Sequence, residues 1–458
     1  MELKNKRVLV VGLGRSGLAA ALFLRDRGAR VTVSDTRSAA ALANEIPALL
    51  EAGIMVESGG HGLLTFRRQD LIVVSPGVPL ETPEVAQAQS FGLPVIGELE
   101  LASRFLDGAI VAVTGSNGKT TTTTLIGKIF MDAGLPTQVG GNIGLPVIEL
   151  IPQSRPETWN VLEVSSFQLE TVVEFKPKIA LVLNITPDHL DRHGTFAKYA
   201  AAKAKITEQQ DENDFLILNA EDMETQMVAA HVGPHGRTRA RIFWFSGRRP
   251  VKQGAFVHGE SVFFLAKEAG KAEPILPVAE IPLKGEHNVE NVLAAVCAAR
   301  LAGIDAPTIR AAVKTFQAVE HRLELVRSRR GVEFYNDSKA TNVDATMKAV
   351  ASFPGGIHLI LGGKDKDSDY SQMGPLLQER VKVVYTLGSA AEKIERELEG
   401  VAKIVQARTL DAAVRCAAEA ALHGDTVLLA PACSSFDQFQ NYEHRGRVFR
   451  ELVLGLED

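Results

Sequence analysis

The octapeptide Gly115-Ser116-Asn117-Gly118-Lys119-Thr120-Thr121-Thr122 places glycines, a lysine and hydroxyls in an order suited to holding phosphate. A glycine turn presents backbone N–H groups to phosphate oxygens. The lysine neutralises their charge, and the hydroxyl after it ligates Mg²⁺. The general phosphate-loop pattern wants a glycine where Val113 stands, so the chain carries the shorter form TGxxGKT. A second glycine turn, Gly12-Leu13-Gly14-Arg15-Ser16-Gly17, fits GxGxxG, and Asp35 follows about 20 residues on. That turn recognises a diphosphate. Three readings stay open with equal weight: NAD with Asp35 on a ribose, the pyrophosphate of another nucleotide, or a tight turn without ligand.

Other polar residues cluster where apolar runs end. Glu163 closes the run Asn160-Val161-Leu162, and an acid at a strand tip beside a phosphate loop can hold Mg²⁺. Its bland reading is a solvated strand end. The stretch Asn184-Ile185-Thr186-Pro187-Asp188-His189-Leu190-Asp191-Arg192-His193 offers carboxylates for a hard cation and a histidine to assist. For Asp191 and His193 taken separately, an ordinary helix start is the better reading. Lys198, Lys203 and Lys205 are expected on a solvated helix face. Asn288 and Asn291 share a helical face and could read an adenine edge, or Asn288 could cap the helix. Later clusters are His321-Arg322-Leu323-Glu324, Asn336 to Asn342, Gly362 to Lys366, and Pro431 to Phe439. No GxSxG elbow is present, so Ser435 is not expected to be a nucleophile. Cys433 reads as a small buried thiol.

The elements that must position these groups are strand–turn–helix units. Apolar runs at Arg7–Gly12, Arg30–Asp35 and Leu71–Ser75 alternate with helical stretches such as Ser16–Arg27, which is the signature of a parallel sheet with crossover helices. A second set of strands is expected after the phosphate loop, at Asn160–Val164, Ile179–Asn184 and Phe215–Asn219, with a helix over Phe196–Gln209. The region from Arg237 to Leu283 reads as β-hairpins. Helices are predicted over Asn288–Leu301, ended by Gly303, and over Pro307–Phe316. Strands follow at Val332–Tyr335, His358–Leu361, Val381–Leu387 and Thr426–Leu429. The fold class is therefore α/β. Three domains are expected, with boundaries near 100 and 304: 1–100, 101–304 and 305–458.

The 458 residues exceed one ordinary domain. No apolar run reaches the roughly 20 residues of a membrane-spanning helix, and the first residues lack a signal core, so no membrane insertion is expected. Cys297, Cys416 and Cys433 are far apart, which fits a reducing cytoplasm and argues against a zinc site. A net charge of −5 argues against nucleic acid as a partner.

Taken together, the clusters resemble the Mur ligase family of peptidoglycan synthesis. The carriers are Thr114 to Thr121, Glu163-Val164-Ser165-Ser166-Phe167-Gln168, Asn184 to Asp191, Gly285-Glu286-His287-Asn288, His321-Arg322 and Asn336-Asp337-Ser338-Lys339-Ala340-Thr341-Asn342. Gly12 to Ala19, Asp35-Thr36-Arg37, Ser75-Pro76-Gly77-Val78-Pro79 and Ser434 to Phe439 resemble the branch that adds D-glutamate. The Asp-Asn-Pro-Arg/Ala stretch usual in the branch adding diaminopimelate or lysine is not in the chain. The chain departs from the family pattern at Lys364, where an acidic residue is common after the glycines.

The resemblance implies three domains: an N-terminal Rossmann-like doubly wound sheet, a central phosphate-loop mononucleotide-binding domain with extra β-hairpins, and a C-terminal Rossmann-like domain. It implies that the first glycine turn takes a UDP diphosphate. Gly14, Arg15, Ser16, Asp35, Thr36, Arg37 and Gly77 would line the uridine nucleotide, with Asn142 and His189 reaching it. ATP would lie on Gly115, Ser116, Asn117, Gly118, Lys119, Thr120, Thr121, Asn288, Asn291, Arg322 and Asp337. Thr120, Glu163, His189 and a carbamylated Lys203 would hold two Mg²⁺ ions. Lys339, Thr341, Lys366, Ser435 and Tyr442 would surround D-glutamate.

The implied reaction activates the carboxylate of UDP-N-acetylmuramoyl-L-alanine as an acyl phosphate. The amine of D-glutamate then attacks it, in a monomeric cytoplasmic enzyme. Lys119, Glu163, His189, Lys203 and Arg322 would be its catalytic residues. Rival expectations are another ATP-dependent amino-acid ligase, such as another Mur ligase or a folylpolyglutamate synthase-like enzyme, an NAD-dependent dehydrogenase, and a nucleotide-binding regulator. The dehydrogenase leaves the loop at Gly115 unexplained.

Overall fold

The computed structural model describes residues 1–230, 239–317 and 319–457. Arg237, where the expected hairpin region begins, lies outside them. Five strands form the first sheet: β1 (Arg7–Val11), β2 (Arg30–Asp35), β3 (Met55–Ser58), β4 (Leu71–Val74) and β5 (Val95–Gly97), in the order β3-β2-β1-β4-β5. All pairings are parallel. The order reverses beside β1, so a crevice opens at its carboxyl end, where the first glycine turn lies.

The second sheet holds β6 (Ala109–Thr114), β7 (Thr137–Gly141), β8 (Trp159–Glu163), β9 (Ile179–Val182), β10 (Phe215–Asn219), β11 (Arg241–Ser246), β12 (Gly254–His258), β13 (Ser261–Leu265) and β14 (Glu273–Pro277). Its order is β14-β13-β12-β11-β10-β9-β6-β8-β7. The hairpin expectation for this region needs correction. Only β12 and β13 pair as an antiparallel hairpin among the pairings described, whereas β11 runs parallel to β10 and β12 parallel to β11.

The third sheet has β15 (Glu324–Arg329), β16 (Val332–Asn336), β17 (Ile357–Gly362), β18 (Val381–Leu387), β19 (Lys403–Arg408) and β20 (Thr426–Leu429), in the order β15-β16-β20-β17-β18-β19. Only the edge pair β15–β16 is antiparallel. The carboxyl ends of β16, β17 and β20 carry the predicted polar loops.

By compactness the chain divides into two units. One comprises residues 1–185, 197–276 and 293–312 and contains the first sheet and nearly all of the second. The other comprises 186–196, 277–292 and 313–458 and contains the third.

The helix after the phosphate loop, Lys119–Asp132, opens with five threonines, a poor helical start by propensity. Packing overrides this. Leu125, Ile126, Ile129 and Phe130 are fully buried, each contributing roughly 1.5–3 kcal/mol. That anchor fixes the loop in front of it. Gly118 precedes the helix with φ +85°, a left-handed conformation that a side chain would strain.

Candidate active site

In the first unit, the turn after β1 depends on close approach. A Cβ on Gly17 would lie 2.0 Å from the Gly12 carbonyl oxygen, so only glycine lets the helix Arg15–Asp26 start there. Gly14 stands at the cap position without a side-chain cap bond, leaving the helix N-terminus lined by backbone. Asp35 braces this turn. It accepts the Leu13 N–H at 2.7 Å and the Arg37 guanidinium at 2.9 Å, while Arg37 also donates to the Leu13 carbonyl at 3.0 Å. Burial opposes the charge on Asp35, but the hydrogen bonds from Arg37 and Leu13 outweigh it and hold the carboxyl at about 2. Thr36 is exposed beside them. Arg15 reaches across to the Gly144 carbonyl at 2.7 Å.

The same unit carries the phosphate loop. Lys119 Nζ donates to the carbonyls of Gly115 and Ser116 at 2.8 and 2.9 Å. Asn184 clamps the loop: its side-chain oxygen accepts the Asn117 N–H at 2.8 Å, its amide donates to the Asn117 carbonyl at 3.1 Å, and its backbone carbonyl accepts the Ser116 N–H at 2.9 Å. Glu163, 1% exposed at the end of β8, accepts the Thr120 hydroxyl at 2.8 Å and the Asn142 amide at 2.8 Å. It is therefore not a solvated strand end. Asn142, expected near the uridine nucleotide, donates here to Glu163.

Glu163 and Thr120 bring hard oxygens to one point, which fits Mg²⁺. That ion keeps several waters and substrate phosphates and does not need an all-protein cage. No group of three or more His, Cys, Asp or Glu that could hold a metal converges among the described residues.

Lys203 corrects the reading of its helix. Lys198 is exposed, as expected, and Lys205 is half-buried, donating to the Glu170 carbonyl at 2.6 Å. Lys203 is 1% exposed, with Nζ 2.8 Å from the Gly115 carbonyl oxygen and 4.6 Å from the centre of the Tyr199 ring. Tyr199, which the sequence did not single out, places its hydroxyl 2.9 Å from Ser116 Oγ. The available signal was the stripe Tyr199, Ala202, Lys203, Ile206 at i, i+3, i+4, i+7, all buried.

In the second unit, His189 has φ +54° and sits beside Asp188, with Nε2 3.6 Å from Asp188 Oδ2. Asp188 also takes the Asn342 amide at 3.0 Å and Lys366 Nζ at 3.4 Å. The cap reading of Asn288 fails because the helix begins at Glu286. Asn288 lies inside it, donates to the Lys284 carbonyl at 2.7 Å and accepts the Asn291 amide at 3.0 Å, so the two amides do share a face. Burial pushes Asp337 up to about 7, against the pull of the Arg322 charge. Burial pushes His287 down to about 4, with the Lys348 and Arg322 charges adding to it.

Lys339 Nζ lies 3.6 Å from the centre of the Tyr442 ring. Thr341 is half-buried, and Ser435 is 2% exposed. Arg445, also missed in the sequence, is fully buried and donates to the carbonyls of Ser338 and Cys433 at 2.8 and 3.1 Å. It thereby joins the loops after β16 and β20.

Family models match three consecutive stretches. A MurD-like N-terminal domain of Mur ligases covers residues 6–97, the Mur ligase middle domain covers 113–299, and the Mur ligase glutamate ligase domain covers 321–433. A protein of Acidobacterium capsulatum named UDP-N-acetylmuramoylalanine–D-glutamate ligase is 66% identical over 99% of this chain and 97% of its own. The chain belongs to the Mur ligase family. A protein of the same name from Koribacter versatilis is 57% identical to this Mur ligase over 99% of this chain and 98% of its own.

Among solved structures, a pseudomurein peptide ligase type C from Methanothermus fervidus superposes with a TM-score of 0.62 at 19% identity, covering 99% of this chain and 100% of its own. A UDP-N-acetylmuramate–alanine ligase from Thermotoga maritima gives 0.58 at 18%, covering 98% of this chain and 99% of its own. These likenesses establish the three-domain α/β fold of this Mur ligase. No helix among its described residues is long and apolar enough to cross a membrane.

Proposed function

We propose that this Mur ligase joins D-glutamate to UDP-N-acetylmuramoyl-L-alanine, converting ATP to ADP and phosphate, in the making of peptidoglycan precursors. The observation that carries the reading is the buried Glu163 carboxylate on the Thr120 hydroxyl, with Lys203 on the same phosphate loop. The relatives named for this activity support it over the whole chain.

The reacting carboxylate and the γ-phosphate are both anionic, so cations must lie between them. Lys119 and Arg322 supply positive charge, and Thr120 and Glu163, with His189 assisting, would hold an Mg²⁺ whose charge would add to theirs. The Lys203 amine, buried against the loop, suits carbamylation, which would turn a cation into an oxygen donor for a second Mg²⁺. A carboxylate oxygen attacks the γ-phosphorus, and the bond to the bridging oxygen of ADP breaks. The amine of D-glutamate then attacks the acyl carbon. The C–O bond to phosphate breaks, and the nitrogen loses a proton as the amide forms.

The first glycine turn, with Gly14, Arg15, Ser16, Asp35, Thr36, Arg37 and Gly77, is the proposed hold on the UDP diphosphate. Asn142 and His189 are proposed beside it. The remaining loop residues Gly115 to Thr121, with Asn288, Asn291 and Asp337, are proposed to bind ATP. Lys339, Thr341, Lys366, Ser435 and Tyr442 are proposed around D-glutamate, matching cations and hydroxyls to its two carboxylates. Domains of 1–100, 101–304 and 305–458, a monomer and a cytoplasmic setting complete the reading.

Phosphate release is the test. It should require ATP, UDP-N-acetylmuramoyl-L-alanine and D-glutamate together. Release driven instead by a folate substrate with L-glutamate would overturn the reading.

A further inference from the structure

The proposed chemistry gives no task to Asp365 or Tyr370, yet both belong to one network beneath the loops that follow β17 and β20. Tyr370 is fully buried. Its hydroxyl donates to Asp365 Oδ1 at 2.7 Å and lies 3.0 Å from Cys433 Sγ. Asp365 Oδ2 takes Lys393 Nζ at 2.8 Å, and Oδ1 also takes the Ser368 N–H at 3.1 Å. The Lys393 ammonium lies 5.5 Å from the centre of the Tyr370 ring. Burial opposes ionisation of Asp365, but the hydrogen bonds from Lys393 and Tyr370 outweigh it and hold its carboxyl below the ordinary range. Burial pushes the Cys433 thiol up to about 12 and the Tyr370 phenol well above its usual value, so both keep their protons at neutral pH.

One hydroxyl thus touches two loops. Asp365 sits between Lys364 and Lys366, and Cys433 precedes Ser434 and Ser435. The loops meet again beside this point as an antiparallel bridge between Lys364 and Ser434. The Lys364 N–H donates to the Ser434 carbonyl at 2.9 Å, the Ser434 N–H returns to the Lys364 carbonyl at 3.1 Å, and Ser434 Oγ donates to the same carbonyl at 3.0 Å. Lys364 itself is exposed, so its backbone and not its charge makes this tie. Lys366 and Ser435 each stand one residue beyond a tie point. A shift in either loop changes the gap between an ammonium and a hydroxyl that must grip one small molecule, and recognition of that kind is sensitive to displacements of about 0.5 Å.

We propose that Tyr370 is a positioning residue for amino-acid recognition, fixing through Asp365 and Cys433 the spacing of Lys366 and Ser435. The inference rests on the reading of those two residues as amino-acid contacts.

Tyr370→Phe keeps the ring and removes the tie, leaving Asp365 one hydrogen bond short. Steady-state kinetics should show KM for D-glutamate rising about ten-fold, with KM for ATP and for the UDP-linked substrate unchanged within about two-fold and kcat little altered. Asp365→Asn, which keeps an acceptor for the hydroxyl but drops the charge facing Lys393, should give the same selective rise. It also decides the matter if Tyr370→Phe fails to fold. An unchanged KM for D-glutamate in both variants, or a parallel rise in all three KM values, overturns the proposal. Lys366→Gln run alongside separates the two levels. If its KM for D-glutamate is unchanged, the assignment of Lys366 itself is wrong. If that KM rises while Tyr370→Phe matches the wild type, only the positioning role falls.

Discussion

Two glycine turns, one after β1 and one after β6, end similar apolar strands and begin helices, yet they are furnished differently. Around the first, Asp35 and Arg37 neutralise one another and brace the turn. Around the second, a lysine, a threonine hydroxyl, a buried glutamate and a buried lysine converge on one loop. In either case the backbone N–H groups at the helix start suit a phosphate. At the second turn these side chains are gathered on the loop itself, where they suit contact with a metal or a reacting oxygen. The proposed function accordingly gives the first turn the task of holding and the second that of reaction.

The largest expected consequence of that difference is at Lys119. Lys119→Ala should lower kcat by about 10³-fold or more, with folding intact by thermal unfolding, since the proposed mechanism sets that charge against the transferring phosphoryl group. A loss confined to KM for ATP would make this turn a holding site like the first. Next is Lys203→Arg, which keeps the cation but cannot take a carbamate. A loss of about 10²-fold in kcat is expected from the missing metal ligand. Near-normal turnover would remove the carbamate from the account.

Outside both turns, Glu98 follows β5 and accepts the Ile148 N–H at 2.7 Å. Burial raises its pKa to about 7 from 4.5. The folded state therefore binds the proton more tightly than the unfolded one, and stability falls as pH rises from 4.5 through 7, by about 3 kcal/mol at most. Glu98→Gln should melt progressively higher than the wild type between pH 5 and 8, and a constant difference would contradict the buried-acid reading.

The smallest effect belongs to Asp35. Asp35→Asn should raise KM for the UDP-linked substrate about ten-fold and leave kcat nearly unchanged. Because its folded pKa lies below the unfolded value of 3.8, its stabilisation is present above 3.8 and lost as pH falls through about 2. With Arg37 44% exposed, solvent screening leaves about 1 kcal/mol. The variant's acid unfolding curve should be correspondingly flatter over that window. A fall in kcat instead would erase the contrast between the turns.

Strands buried on both faces, such as β1, β6, β10 and β20, were legible as apolar runs, and the turns after β1 and β6 announced themselves through glycine. Edge strands were not. β3 and β19 hold no buried residue, so they carry no apolar run to detect. Lys203 was hidden because a lysine counts as solvated unless its stripe is examined, and Tyr370 because a hydroxyl's partners are set by loops far apart in the sequence. The Asn288 cap failed by three residues, because the helix starts at Glu286 and its cap position is Gly285.

The central claim is that ATP energises a carboxylate at the second turn, and oxygen tracing tests it most directly. UDP-N-acetylmuramoyl-L-alanine labelled with ¹⁸O in its carboxylate should transfer one labelled oxygen to the released phosphate, read by mass spectrometry. Phosphate free of label, with one labelled oxygen in the peptide product and the other in water, would contradict the acyl phosphate and the account built on it.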